Sequence, residues 1–199
     1  MNYGELKTAV QSRLDRPDEV AAVAVCIEAA TARLSRLLRI YEQEGISDAT
    51  LTSEYTAMPA DFNGMRSLAA DGKQLDYRPP QLFQSVVAVG STPAKRLFTI
   101  EIDSLRVYPA PSPTDPLSVS MLYSRKLSAL VADADTNEVL DEHPDLYLAA
   151  VMSEVMLHMK NYDTHAVWDN RVAQLGGEVL VASRRKRFDS GNLTIRRGA

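Results

Sequence analysis

The stretch that decides the fold is Arg96-Leu97-Phe98-Thr99-Ile100-Glu101-Ile102-Asp103-Ser104-Leu105-Arg106-Val107-Tyr108-Pro109-Ala110-Pro111. β-branched and aromatic side chains make up most of its segments 97–102 and 105–108, as suits a half-buried pleated surface. It predicts two short strands, 97–102 and 105–108, with Asp103-Ser104 as the turn between them. Pro109 and Pro111 then stop the pairing, because proline has no amide hydrogen to give to a ladder. A hairpin therefore sits near the middle of the chain, and its surroundings decide what kind of domain carries it.

Working outward, residues 50–78 and 95–124 are strand-like, and Asp71-Gly72 is a tight-turn pair. Residues 82–89 follow Pro79-Pro80 and read as a short helix with Leu82, Phe83, Val86 and Val89 inward. In 117–122, Leu117, Val119 and Met121 alternate with Ser118 and Ser120, so one face is expected to be buried. Residues 110–116, with three prolines, and the acidic stretch 131–141 read as loops.

Both flanks change to a helical period. Val20, Val23, Ile27, Ala30, Leu34, Leu37 and Tyr41 recur at spacings of three and four, the stripe of one amphipathic helix. A shorter helix with Leu6, Val10 and Leu14 precedes it. Near the C-terminus, Pro144 starts a helix with Leu148, Val151 or Met152, Val155, His158 or Met159, and Tyr162. Asp163 and Thr164 are placed to cap the next one, which carries Trp168, Val172, Leu175, Val179 and Ala182. Gly176-Gly177 inside that helix calls for a close helix crossing or a kink. The expected fold is α+β: an antiparallel four-helix assembly (3–14, 18–43, 143–162, 164–187) with an inserted β-rich subdomain and an extended C-terminal tail. The divisions are N-terminal helices 1–45, β-rich subdomain 46–128, acidic loop and helical hairpin 129–187, and tail 188–199. Leu34, Leu37, Val155, Trp168, Val172 and Leu175 are expected in the helical core.

The charge is uneven. The net charge is −4, yet residues 183–199 alone carry six cations against Asp189, leaving the first 182 residues at −9. An acidic body with a basic end predicts attraction to an acidic surface or to nucleic acid; a solvated, mobile end is the alternative. No apolar run approaches the roughly 18 residues of a membrane span, and the N-terminus lacks the order of a secretion signal. Cys26 is the single cysteine, so no internal disulfide forms and a reducing compartment is expected.

Chemistry is hard to find. The chain has no phosphate-binding glycine loop and no nucleophile elbow. His143, His158 and His165 lack Cys or Glu at zinc spacing. Asp133-Ala134-Asp135-Thr136-Asn137 opens like a calcium loop, but Glu138 and Pro144 stand where glycine and glutamate are required. Cys26 reads as a small buried hydrophobe. Tyr108 and Trp168 read as packing or subunit-interface residues. No cofactor, metal or catalytic residue is expected.

Taken in order, the features resemble those of the tailed-phage head-to-tail adaptor family. The carriers are Pro59, Asp61 and Phe62 at a strand start; Tyr108-Pro109-Ala110-Pro111 after the hairpin; and Tyr123 near a strand end. Leu127-Ser128, Asn137 with Leu140, the helix begun by Pro144, and Trp168 follow. The departure is Asp103-Ser104, where relatives often carry a glycine turn. The resemblance covers about residues 5–182. It implies a structural virion protein, not an enzyme, at the head-tail junction, assembled in the host bacterial cytoplasm without a membrane. It implies a homo-oligomeric ring of twelve copies between the portal protein and the tail tube, nozzle or next tail-completion protein. Packaged DNA would pass through the ring, which would help keep the exit channel sealed and aligned. The C-terminal segment would reach the portal, with Arg184, Arg185, Lys186, Arg187, Arg196 and Arg197 as charge contacts and Phe188, Leu193 and Ile195 as apolar anchors. Residues 184–199 are expected to be disordered until they dock. A nucleic-acid-binding helical protein using residues 184–187 is the competing class; a small-molecule enzyme is a third, without a visible site.

Overall fold

The computed structural model describes residues 1–14, 20–90 and 93–189. In chain order the helices are α1 Tyr3–Gln11, α2 Val20–Leu37, α3 Pro80–Val89, α4 Glu138–Glu142, α5 Pro144–His158 and α6 Tyr162–Asp189. The strands are β1 Glu44–Leu51, β2 Tyr55–Ala57, β3 Phe62–Ala70, β4 Lys73–Gln74, β5 Asp76–Tyr77, β6 Leu97–Glu101, β7 Ser104–Tyr108 and β8 Leu117–Arg125. The chain is thus α+β and divides into a helical unit, Met1–Gln43 with Lys126–Ala199, and a β-rich unit, Glu44–Arg125.

The helical unit is built around α5. Leu146, Tyr147, Ala149, Ala150, Val151, Met152 and Val155 are all buried, so this helix is apolar around most of its circumference and has no solvent face of its own. α1 is started by a reciprocal cap. The Asn2 side chain accepts from the Glu5 amide at 2.8 Å, and the Glu5 carboxylate accepts from the Asn2 amide at 3.0 Å. The Tyr147 hydroxyl, inside the core, bonds to the Thr31 hydroxyl and accepts from Asn137 Nδ2 at 3.3 Å. A buried phenol is tolerable only with such partners.

Several expectations fail here for identifiable reasons. The unit holds five described helices, not four. The fifth, α4, lies in the stretch read as a loop. Its five residues are mostly acidic, too short for a period, yet Val139 and Leu140 are fully buried and the Asn137 side chain accepts from the Leu140 amide at 3.0 Å. Leu37 is 56 % exposed and Tyr41 50 %, not core. α2 ends at Leu37, and the stripe steps four residues from Leu34 to Leu38, after which Ile40 folds inward. The expected helix 18–43 thus runs six residues too far, and β1 starts at Glu44. In α6 the buried position after Val179 is Ser183, not the exposed Ala182. Asn161, rather than Asp163 or Thr164, caps α6, accepting from the Thr164 amide at 3.3 Å. Gly176 and Gly177 mark no close crossing, because a Cβ on either would meet nothing within 4 Å. Trp168 is half-buried against the core.

The β-rich unit has two four-stranded sheets, ordered β1-β8-β3-β4 and β2-β7-β6-β5. β8 pairs antiparallel with both β1 and β3. Its alternating side chains Leu117, Val119, Met121 and Tyr123 join Leu68, Phe98, Leu105 and Val107 in one core, while Ser118 and Ser120 face out. Asp71 and Gly72, with φ of 51° and 73°, make the tight turn between β3 and β4. The β6–β7 turn is displaced by one residue from the expected place. Glu101 pairs with Ser104, so the turn residues are Ile102 and Asp103. Ile102 takes φ 56° and is 95 % exposed, a costly conformation for a β-branched residue.

α3 departs most from its expected burial. Only Phe83 is buried; Leu82 is 55 % and Val89 78 % exposed. Phe83 sits edge-on to Tyr108 with centroids 6.4 Å apart and faces the Arg106 guanidinium at 5.1 Å. That guanidinium, itself buried, pairs with Glu54 at 2.6 Å and Glu101 at 3.2 Å and lies against Tyr55. One helical residue therefore fills the site that the charge cluster leaves, and the rest of α3 remains outside.

Candidate functional site

The sequence directs attention to the basic end of α6. Residues 184–187 are helical in the chain by itself, inside α6, so the expected disorder does not extend to them. Three contacts fasten this helical turn to the segment after α2. The Ser183 hydroxyl accepts from the Tyr41 amide at 2.7 Å. Lys186 donates to Glu42, and Arg187 donates to the Arg39 carbonyl at 3.0 Å. The hydrogen bond to Glu42 raises the Lys186 pKa. Burial alone would raise the Glu42 carboxyl. The Lys186 hydrogen bond, a backbone hydrogen bond and nearby positive charge outweigh it and hold Glu42 below the usual carboxylate range.

The four consecutive basic residues thus divide into two pairs. Lys186 and Arg187 turn toward their own unit, whereas Arg184 and Arg185 are exposed and make no ion pair among the described residues. Helix geometry produces this division, since successive side chains point about 100° apart on a helix. Residues 190–199, including Leu193, Ile195, Arg196 and Arg197, lie outside the described residues, as does the Phe188 side chain. Tyr108 packs on Phe83 in the β-rich unit, and Trp168 on the core of the helical unit.

The remaining titratable clusters are structural. Arg33 reaches Glu154 at 3.4 Å, Ser153 at 3.2 Å and Asp169, so one guanidinium joins α2, α5 and α6. Its hydrogen bond is the main reason that the Asp169 carboxyl lies below its usual range. His165 Nδ1 lies 3.0 Å from the Ser153 carbonyl oxygen. In the stretch that opens like a calcium loop, Asp135 accepts from the Val131 and Ala132 amides, and those bonds depress its pKa. Asp133 pairs with Lys7. Among the described residues, no group of three or more His, Cys, Asp or Glu could hold a metal ion, and no helix is long and apolar enough to cross a membrane.

The residues that carried the resemblance turn out to be joints. Tyr123 donates to Asp61 at 3.0 Å and stacks on Phe62 at 5.9 Å, which ties the start of β3 to the end of β8. Asn137 caps α4 and donates to the Ser128 carbonyl at 3.1 Å, while Leu127 is buried in the helical core. Pro144 occupies the first turn of α5. These are positions where one side chain fixes a change of chain direction, which is why their order marks a fold rather than a chemistry.

The sequence profile of the SU10 adaptor protein family matches residues 1–196. The chain belongs to that family. It is a family of phage head-to-tail adaptors, and the role is therefore that of a structural virion component at the head-tail junction. No curated protein matches the chain. As a member of the SU10 adaptor family, the chain is expected to act through its surfaces, and those surfaces are what the two units expose.

Proposed function

We propose that this adaptor assembles as a ring of twelve copies between the portal and the tail. Packaged DNA passes through the ring, and the ring helps keep the exit channel sealed and aligned. Its tail-side neighbour is the tail tube, a nozzle or the next tail-completion protein. The observation that carries the reading is the family match over residues 1–196. The role needs shape and contacts but no catalytic group.

The portal contact in this reading is the C-terminal end. Arg184 and Arg185 are exposed and make no ion pair among the described residues, while Lys186 and Arg187 hold the helix end on residues 39–43. In this reading Phe188, Leu193, Ile195, Arg196 and Arg197 also contact the portal. Electrostatic attraction sets the rate of docking and makes it sensitive to salt, and apolar anchors set the dwell time. The competing use of the same arginines is to hold DNA.

The test removes residues 190–199, or replaces Arg184 and Arg185 by Glu, and measures binding to portal particles and to duplex DNA. The reading expects at least a tenfold loss of portal binding with little DNA affinity in either protein. Undiminished portal binding overturns the assignment of this end. Tight DNA binding that falls steeply with salt, and that Arg184→Glu abolishes, transfers it to nucleic acid.

A further inference from the structure

α3 has ten residues, none charged, and buries only Phe83. Leu82, Val86 and Val89 follow one another at spacings of four and three, so they share a face; Leu82 and Val89 are mostly exposed. Beyond Phe83, Leu82 and Val89 on this apolar helix are left uncovered by the described residues of its own unit. The charged residues beside it in sequence are mostly basic: Arg78 before it, Lys95 and Arg96 after it, against Asp76.

The helical unit has the opposite feature. A groove of about 590 Å³ lies between α2 and the segment 126–131. Its walls include Ala24, Val25, Ala32, Leu127, Leu130 and Val131. Val25 is 65 % and Val131 80 % exposed, so the apolar part of the groove is left uncovered by the described residues. It carries one carboxylate, Glu28, and one ammonium, Lys126. The chain that continues from it, residues 131–145, holds six carboxylates and no Lys or Arg; Asp133 is paired with Lys7 and Asp141 lies near the N-terminal ammonium, so the segment keeps a net negative charge.

We propose that α3 of one copy seats in the α2 groove of the next copy, as the contact that builds the ring. The inference rests on the ring reading and adds the surfaces. An apolar helix with basic flanks faces an apolar groove that continues into an acidic segment, so charge favours the pairing of unlike surfaces. It also opposes α3 against α3, which would set Arg78, Lys95 and Arg96 against their own copies. A contact between two different surfaces is heterologous, and repeated by a fixed rotation it closes a ring rather than a dimer. A ten-residue helix is only about 15 Å long, and its face falls short of the about 800 Å² per partner of a standard interface. The charged flanks must therefore join the contact, and assembly should weaken with salt.

The test uses the full chain with Cys26→Ala as background. Two single variants, Val89→Cys and Val131→Cys, are assembled together on portal particles and oxidised. The expected result is a cross-linked pair at least tenfold more abundant in the mixture than in either variant alone. Rings seen by electron microscopy without that mixed cross-link overturn the inference and leave the ring reading standing. Absence of rings with the unmodified chain removes both. Val89→Asp gives an independent measure, because an exposed position should leave the monomer's thermal midpoint unchanged. It should lower ring yield at least tenfold; rings in undiminished yield overturn the proposal.

Discussion

The two units use apolar surface in opposite ways. The helical unit wraps α5 on most sides, so its most hydrophobic helix has almost no contact with water. The β-rich unit leaves its helix α3 largely outside, with Phe83 the fully buried residue, set over Arg106 and Tyr108. One unit encloses its most apolar helix, and the other exposes its own. For a protein whose role is to join others, the difference separates what keeps the chain folded from what it offers to a neighbour.

The largest effects should come from the two buried anchors. Tyr147→Ala and Phe83→Ala should each cost about 3–5 kcal/mol in chemical denaturation, the range for removing a buried aromatic ring. If the comparison holds, a protease will find the helical unit opened by the first and the β-rich unit by the second. Equal loss of both units in both variants would mean that they fold as one. Trp168→Ala, at a half-buried ring, should cost about 2 kcal/mol, below the range for full burial. A loss under about 0.5 kcal/mol with assembly abolished would move Trp168 to a subunit interface.

Acid should weaken the helical unit. Asp169 and Glu42 have folded pKa values below their ordinary ones. Their contribution is present above the unfolded values, about 3.9 and 4.3, and is lost as pH falls through the lower folded values. Thermal midpoints measured from pH 6 down to 2 should therefore fall below about pH 4, and less so in Asp169→Asn. An unchanged profile in that variant would remove the Arg33 junction from the account.

The smallest effects are gains. Gly176→Ala and Gly177→Ala should each stabilise by up to about 1 kcal/mol, because the helix geometry suits alanine and its methyl meets open space. Ile102→Gly should gain a similar amount, about 1 kcal/mol, by relieving a left-handed β-branched residue. If either glycine variant stabilises the monomer but prevents assembly, the middle of α6 also carries an assembly contact.

Much of this was legible in the residues. The alternation of 117–122 gave the buried face of β8, and the stripe Leu6–Val10 gave the buried side of α1. Legibility failed where one residue of phase mattered. Leu37 and Leu38 are both leucine, and only the end of α2 selects the second. At the β6–β7 turn, Asp103-Ser104 has better turn chemistry than Ile102-Asp103. The pairing of Glu101 with Ser104 prevails because it keeps Leu105 and Val107 inward. At α3 the apolar stripe marks an exposed face, because only Phe83 is buried. The division of the basic cluster was hidden for another reason: the partners Glu42 and Arg39 are about 145 residues away along the chain.

The most direct test of the central claim is cryo-electron microscopy of the neck of virions carrying this chain. The account predicts twelve copies in a closed ring against the portal, with the α6 end directed to it and α3 of each copy at the α2 groove of the next. A neck in which the chain is absent, or present without a ring around the DNA channel, would contradict it.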